Sequence, residues 1–242
     1  MKLRLSWFYL ALLVASTVPV VAQGLPEFRP ALIGSHKKAL INLINAQSLM
    51  ERGQKDGTVM FETGITELGE GFNSRCYRGS ANTEMLQKEV LGEIDQAQFE
   101  AAVFNHTHVV AYMQGTVMFL IHNGKPMVRI FLNQEDSEIK AGHDFIAPQF
   151  CYATGNDTFR NFYMPPARGG VAVLGLDVDA GGHVTGNKEA YEYPPGQNYG
   201  GIINGIIGKA LFVPGFRNGK PTACHFNWTA VILGPGKRAK TG

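Results

Sequence analysis

The chain contains little cysteine, and the placement of its cysteines excludes two common kinds of site. Cys76, Cys151 and Cys224 lie far apart and form no Cys-x-x-Cys pair. This spacing disfavours a zinc site and a thioredoxin-like redox motif, and it allows at most one intrachain disulfide. If one forms, we expect it between Cys151 and Cys224, because both would belong to one structural unit, with Cys76 left as a thiol.

Local signatures of catalysis are also missing. The sequence has no Gly-x-Ser-x-Gly, no His-Glu-x-x-His, no phosphate-binding loop and no Ser-x-x-Lys. His143, Asp144 and Cys151 are interpreted as an exposed turn and a structural thiol rather than as a triad. We therefore expect a protein that is not an enzyme and that uses no cofactor.

Candidate metal ligands are few and poorly spaced. Asp177-x-Asp179 could open a calcium loop, but Lys188 stands where such a loop has its bidentate glutamate, so a β-turn is the favoured interpretation. His106-x-His108 would place two imidazoles on one strand face, without enough further ligands at suitable spacing. Neither pattern predicts a metal site.

Only the N-terminus carries a long apolar run. Lys2 and Arg4 precede a mainly apolar stretch from Leu5 to Ala22. A charged start, an apolar centre and a small residue at the end are typical of a secretory signal peptide. We expect residues 1–22 to be that signal, with an uncleaved inner-membrane anchor as the alternative, and a periplasmic or secreted protein.

The remaining chain has no excess of either charge. Without Lys2 and Arg4, the 22 basic residues become 20, which equals the 20 acidic residues. The one basic cluster, Lys237, Arg238 and Lys240, lies in a Gly/Pro-flanked tail and is interpreted as a solubilising end. Nucleic acid is therefore not expected as a partner, because its recognition needs a concentrated positive field.

An internal repeat organises the rest of the sequence. A shift of 113 residues (170 minus 57) lays residues 57–119 on residues 170–232 without a gap. The apolar pattern of the two segments agrees under this shift. Identical pairs include Gly57/Gly170, Gly69/Gly182, Gly92/Gly205, Ala97/Ala210, Phe99/Phe212, Asn105/Asn218 and Thr116/Thr229. The sequence therefore predicts the duplication of one small unit.

Each copy is expected to contain one helix. After Thr83, Leu86, Val90 and Ile94 recur at helical spacing, which predicts an amphipathic helix. In the second copy the segment 200–212 is apolar nearly all round and predicts a buried helix of low intrinsic propensity.

Strands complete each unit. Alternating apolar residues predict an opening strand, a Gly-containing turn and a second strand in both copies. Long closing strands are expected over residues 107–121 and 222–233, and Asn123-Gly124 predicts a two-residue hairpin in the first copy. The expected fold class is α+β, with two repeated small antiparallel sheets that are each packed by a helix.

Two Gly-rich stretches of the second copy form a recognisable pattern. One begins at Gly170 (GVAVLGLDVDAGGHV), and the other begins at Phe212 (FVPGFRNGKP) before the final strand. This pattern resembles the C-terminal domain of TonB energy-transducer proteins over residues 163–233, and more loosely over residues 46–121. The resemblance implies tandem TonB C-terminal-like domains in a cell-envelope protein linked to TonB-dependent transport.

The resemblance also implies domain boundaries. The expected parts are a first unit at 36–132, a connecting segment at 133–162, a second unit at 163–233 and a flexible tail at 234–242. The chain lacks the long Pro-rich spacer of that family, and residues 23–35 extend over only about 43 Å. The resemblance therefore implies the fold and the binding mode more than force transmission across a periplasm.

By the same resemblance, the binding surface is the outer edge of the last strand, where an extended peptide from an outer-membrane or secreted partner would add a strand. Aromatic side chains there would offer pockets or stacking. The residues expected at this site are Thr222, Cys224, His225, Phe226 and Trp228, together with Tyr163 and Pro165 of the entry motif. Alternatively, this strand pairs with the first copy, and Met127–Leu132 is then the next candidate edge.

A second functional class stays open. A peptidoglycan- or carbohydrate-associated periplasmic module would use exposed aromatic residues on the Pro/Gly-rich loop 191–200. Its candidate residues are Tyr191, Tyr193 and Tyr199. The sequence does not indicate an oligomeric state.

Overall fold

The computed structural model describes residues 24–132, 144–153 and 169–232. The predicted signal peptide, the tail at 234–242, and Tyr163 and Pro165 lie outside these residues. Within them, short helices pack on sheets whose strands are mostly antiparallel, so the α+β class predicted from the sequence is confirmed at this level.

Fourteen strands and four helices make up the described part of the chain. The strands are β1 (Phe28–Arg29), β2 (Gly57–Ile65), β3 (Gly71–Gly79), β4 (Ala102–Phe104), β5 (Thr107–His122), β6 (Lys125–Phe131), β7 (Phe145–Ile146), β8 (Gln149–Tyr152), β9 (Gly170–Val178), β10 (Val184–Tyr193), β11 (Leu211–Val213), β12 (Gly215–Arg217), β13 (Lys220–Thr222) and β14 (Cys224–Ile232). The helices are α1 (Leu40–Leu43), α2 (Ala46–Glu51), α3 (Glu84–Ile94) and α4 (Tyr199–Ile207).

The long strand β5 is the centre of an eight-stranded sheet. β2 pairs along one side of β5, and β3 follows β2. β5 also pairs with β4 over residues 107–109, with β8 over residues 110–112 and with β6 over residues 116–122. The hairpin between β5 and β6 turns at Asn123 and Gly124, both with positive φ, which confirms the predicted two-residue hairpin.

The second half of the chain forms two three-stranded sheets. One has the order β10-β9-β14, and the other has the order β13-β12-β7. β11 belongs instead to the eight-stranded sheet, where it pairs with β8. The two halves are therefore connected through β8, which pairs with β5 and with β11.

Helix α3 follows the expectation from the sequence. Leu86, Val90 and Ile94 are fully buried on one face and belong to the same hydrophobic cluster as Phe61 of β2. The spacing of three and four residues puts these side chains in line on the helix, so a single apolar stripe meets the sheet.

Helix α4 departs from the expectation. It ends at Ile207, and only one of its faces is buried, with Ile203 and Ile207 inside and Gly201 and Asn204 exposed. The prediction of a helix buried all round was wrong. Among the described elements α4 packs mainly on β9 and β10, so the face away from that sheet stays in contact with solvent.

The two halves use the same strand registers. Gly57 of β2 lies opposite Phe119, and 113 residues later Gly170 of β9 lies opposite Ile232. At their turns, the β2–β3 and β9–β10 hairpins pair residues that correspond under the same shift of 113. The β4–β5 and β12–β13 pairs also correspond under this shift. Each of these strands thus has a counterpart with an equivalent partner.

The correspondence extends to a strand that precedes each half, with a different offset. Phe145 lies 117 residues after Phe28 (145 minus 28), and the two occupy equivalent ladder positions. The matching pairs are Phe28↔Phe104 with Phe145↔Arg217, Arg29↔Val103 with Ile146↔Phe216, and Leu32↔Glu100 with Gln149↔Val213. β7 and β8 therefore occupy part of the expected connecting segment 133–162.

The expected disulfide is absent. All three thiols are reduced in the structure. Cys151 lies on β8 between β5 and β11, whereas Cys224 lies on β14 beside β9 in a different sheet, so the predicted pairing was wrong. Burial raises the pKa of Cys76 and of Cys151 to about 12, which keeps both thiols protonated and unreactive at neutral pH.

Candidate functional site

Strand β14 is the last strand of its sheet in the part of the chain that the structure describes. It pairs with β9 along its whole length, from Cys224 opposite Val178 to Ile232 opposite Gly170. Within the same residues it forms no ladder with a strand of the first half. Its outer side is therefore the candidate site for strand addition.

The register decides which backbone groups of β14 face outward. In the first half, His122 and Lys125 flank the two-residue turn and form a hydrogen-bonded pair, so even-numbered residues of β5 direct their N–H and C=O groups towards β6 and β8. Each residue of β5 corresponds to the residue of β14 that lies 113 positions later, so the equivalent outward-facing residues of β14 are odd-numbered. The backbone groups of Ala223, His225 and Asn227 therefore point away from β9.

The equivalent positions in the first half carry a strand. Val110–Tyr112 of β5 pair with Phe150–Tyr152 of β8. The corresponding positions of the second half are 223–225, and no described strand lies beside them. The edge geometry that holds β8 on β5 is thus repeated on β14, where the described part of the chain supplies no second strand.

The far end of β14 is covered by the first sheet. Nε2 of Gln114 donates to the carbonyl oxygen of Thr229 at 2.6 Å and also to Oε2 of Glu62 at 2.6 Å. Glu62 is buried and also bonds Arg75. The accessible part of the edge therefore runs from Thr222 to about Asn227.

His225 is the most exposed of the predicted site residues on β14. Its Nδ1 lies 2.8 Å from Oδ1 of Asp177 on β9, and both side chains are more than half exposed. Its ring lies over Gly175, where a Cβ would come within 3.1 Å of Cε1. The surface beside the open edge is therefore polar, with one carboxylate and one imidazole.

The aromatic residues of β14 are not surface anchors. Phe226 and Trp228 are buried, with ring centroids 5.8 Å and 5.9 Å from that of Phe212, and Trp228 also contacts Phe150. Even-numbered side chains of β14 face the core because they share a sheet face with the β9 residues under α4. The interpretation of these two rings as binding pockets was wrong. Thr222 at the end of β13 and Cys224 at the start of β14 are half-buried.

A second candidate surface is a cleft of about 350 Å³ between the two sheets. Tyr191 and Tyr193 of β10 stand at its rim and are 46% and 69% exposed, while Tyr199, the first residue of α4, is buried. The full lining is Met60, Tyr77, Arg78, Val171, Val173, Tyr191, Glu192, Tyr193 and Thr229. Sequence reasoning found Tyr191 and Tyr193, but it gave no sign that Tyr77 and Arg78 of β3 would face them.

Comparison with known proteins adds no family assignment. No protein-family model, no curated protein and no solved structure matches this chain. The pairing of β14 and the chemistry of the cleft are therefore the basis for a functional proposal.

Glu192 organises the rim of the cleft from the other face of β10. Its carboxylate accepts the N–H groups of Gln197, Asn198 and Tyr199 at 2.5 to 2.9 Å, which takes the place of a side-chain cap at the start of α4. Burial alone would raise the pKa of Glu192, but these N–H groups bond the charged form and bring the pKa below its ordinary value.

The histidine pair of the first half does not share a strand face. His106 lies in the turn before β5 with φ of 61°, and its Nδ1 is 2.8 Å from the carbonyl oxygen of Leu25. His108 lies on β5, and its Nδ1 is buried and has no hydrogen-bond partner among the residues that the structure describes. No group of three or more metal-ligating side chains occurs in residues 24–132, 144–153 and 169–232.

Two further sequence features are placed by the structure. Asp179 and Gly182 form the turn between β9 and β10. Oδ1 of Asp179 accepts a hydrogen bond from the backbone N–H of His183, and this bond lowers the pKa of the Asp179 carboxyl. No helix in the described part of the chain is long and apolar enough to cross a bilayer.

Proposed function

We propose that the chain is an internal duplication of a TonB C-terminal-like unit and that the outer edge of β14 binds an extended segment of another protein by strand addition. The proposal describes a non-enzymatic, periplasmic or secreted protein of the cell envelope. Its partner is an outer-membrane or secreted protein, in a role linked to TonB-dependent transport.

One observation carries the proposal. β5 and β14 have the same register with their inner neighbours, and β5 holds β8 at Val110–Tyr112, whereas no strand of the described residues lies on the outer side of the matching positions of β14. An edge that accepts an antiparallel strand once in the chain has the backbone geometry to accept another. The open N–H and C=O groups of Ala223, His225 and Asn227 supply the hydrogen bonds.

The surroundings of the edge describe the peptide that fits it. β8 brings Phe150 and Tyr152 onto Tyr112, which forms an aromatic cluster on β5. The residue equivalent to Tyr112 is His225, which pairs with the exposed carboxylate of Asp177. The partner segment should therefore carry polar or basic side chains, rather than aromatic ones, on the face next to His225.

Proline substitution at Asn227 tests the proposal, because it removes an outward N–H without touching the ladder to β9. Short random peptides displayed on phage are selected on the wild-type protein and then measured on Asn227→Pro and on Asn227→Ala. The alanine variant keeps the N–H and removes only the side chain, so it is the matched control.

We expect the selected peptides to bind Asn227→Ala like the wild type and to lose binding to Asn227→Pro, with an unchanged far-ultraviolet circular dichroism spectrum. Equal binding to both variants, or failure to select any peptide, would contradict strand addition at β14. Loss of fold in the proline variant would show that this N–H faces β9, against the register described.

A further inference from the structure

The cleft between the two sheets combines an apolar floor with aromatic and cationic groups at its rim. Met60 of β2 and Val171 and Val173 of β9 form the floor. Tyr191 and Tyr193 project from the same face of β10 as these valines, since they lie opposite them in the ladder. Alternate residues of a strand are about 6.6 Å apart, so the two tyrosines flank a ring-sized ligand.

Arg78 supplies a positive charge at the mouth of the cleft. Its side chain is exposed, and its one hydrogen bond within the described residues joins Nη1 to the hydroxyl of Tyr191 at 3.4 Å. No carboxylate in that part of the chain lies within ion-pair distance of Arg78. The carboxylate of Glu192 is held by the N–H groups of α4 and does not neutralise Arg78.

Hydroxyl groups complete the polar lining. Tyr77 makes a side-chain hydrogen bond with Thr229, and burial together with the nearby Glu62 raises the pKa of Tyr77. The hydroxyls of Tyr77 and Thr229 stay uncharged at neutral pH, so they act as hydrogen-bond donors and acceptors beside the single cation of Arg78. The cleft is lined by side chains of β2, β3, β9, β10 and β14.

We propose that this cleft binds an acidic sugar, with the carboxylate on Arg78 and the sugar ring between Tyr191 and Tyr193. A pyranose has an apolar C–H face that packs on aromatic rings and hydroxyls that bond phenols, which matches both kinds of lining. One arginine balances one carboxylate, so a uronate fits better than a phosphorylated or multiply charged ligand. The site is independent of strand addition at β14.

Glucuronate and glucose are suitable probes because they differ only in the carboxylate. Binding is measured by saturation-transfer difference NMR on the wild type and on the variants Arg78→Gln and Tyr193→Ala. Lys220→Gln removes the same charge from an exposed position on β13 outside the cleft, and it is the matched control. Far-ultraviolet circular dichroism checks the fold of each variant.

We expect the wild type and Lys220→Gln to bind glucuronate about tenfold more tightly than glucose, the effect of one charge-assisted hydrogen bond. Arg78→Gln should abolish this preference, and Tyr193→Ala should weaken the binding of both sugars. Equal binding of the two sugars by the wild type, no binding of glucuronate, or an equal loss in Lys220→Gln would overturn the proposal. Displacement of glucuronate by a short peptide that ends in tyrosine, at lower concentration than by unlabelled glucuronate, would assign the cleft to peptides instead.

Asn227→Pro separates this proposal from strand addition. The substitution lies outside the cleft lining, so the variant should still bind glucuronate even where it no longer binds peptides. Loss of both activities in a folded variant would contradict two independent sites.

Discussion

Gly69 and Gly182 show at the scale of single residues how the two halves use the same turn. Both have positive φ, 81° and 85°, and their carbonyls accept the N–H of Phe99 and of Phe212 at 2.8 and 2.9 Å. A Cβ at either glycine would collide with the carbonyl oxygen of the same phenylalanine. The identity of these residues in the repeat is thus a consequence of backbone conformation and close approach.

Alanine substitution at Gly182 should therefore destabilise the protein by on the order of 2 to 4 kcal/mol, because strain and a backbone collision add. Gly205 on the exposed face of α4 is the control, since a Cβ there meets nothing within 4 Å. Gly205→Ala should stabilise by about 0.5 to 1 kcal/mol through helix propensity. Urea denaturation measures both, and similar free energies of unfolding for the two variants would contradict this account.

The lowered pKa of Glu192 predicts how the stability of the protein depends on pH. Its pKa is lowered in the folded protein, so its contribution to stability is present above the ordinary glutamate pKa and is lost as the pH falls through the lower folded value. Glu192→Gln should unfold at a lower urea concentration than the wild type at pH 7, and the difference should shrink below about pH 4. Glu67→Gln, an exposed carboxylate in a turn, should leave the midpoint unchanged at both pH values.

At the scale of elements, β8 is the strand that joins the halves. It pairs with β5 on one side and with β11 on the other. At its start, Oε1 of Gln149 accepts the N–H of Ala31 at 2.7 Å, and Nε2 donates to the carbonyl of Ala31 at 2.9 Å. Both residues are buried, so the side-chain amide of Gln149 satisfies the backbone N–H and C=O groups of Ala31, which lies 118 residues away in the sequence.

Gln149→Ala should leave both backbone groups of Ala31 buried without partners. The expected loss of stability is on the order of 2 to 3 kcal/mol, which chemical denaturation measures directly. Gln47→Ala, an exposed glutamine on α2, is the control and should change stability by less than about 0.5 kcal/mol. An equally small effect at Gln149 would mean that water replaces its amide.

At the scale of the whole molecule, the two hydrophobic clusters exchange residues. Val213 and Phe216 of the second half belong to the cluster of the first sheet, and Tyr112 of β5 in the first half packs against the cluster under α4. Each half thus completes the core of the other. We infer that the halves fold together, since separating them would expose apolar surface on both.

Unfolding should therefore be a single transition. The fluorescence of Trp228, which reports on the second cluster, and the far-ultraviolet circular dichroism should change at the same urea concentration. Trp228 is buried, so its emission should shift to longer wavelength on unfolding. Two transitions, with the fluorescence change confined to one of them, would show that the halves are independent domains.

The sequence predicted much of the element pattern and less of the site. The helix face of Leu86, Val90 and Ile94 and the Asn123-Gly124 hairpin were readable because helical spacing and turn chemistry are local. α4 was misjudged because composition alone does not tell how many of a helix's faces are covered. The rings of Phe226 and Trp228 were assigned to the surface because alternation reveals two faces of a strand without saying which one meets the core.

What the sequence by itself determined is therefore the repeat, the alternation of β14 and the glycine turns, since each depends on neighbours along the chain. Only the tertiary structure decided that β14 is the last strand of its sheet among the described residues, that β8 lies on β5, and that Arg78 faces Tyr191. These features join residues about 40 to 115 positions apart, such as Gln114 and Thr229, whose separation is 115. Pairings at that distance depend on how sheets pack against one another, which no local period encodes.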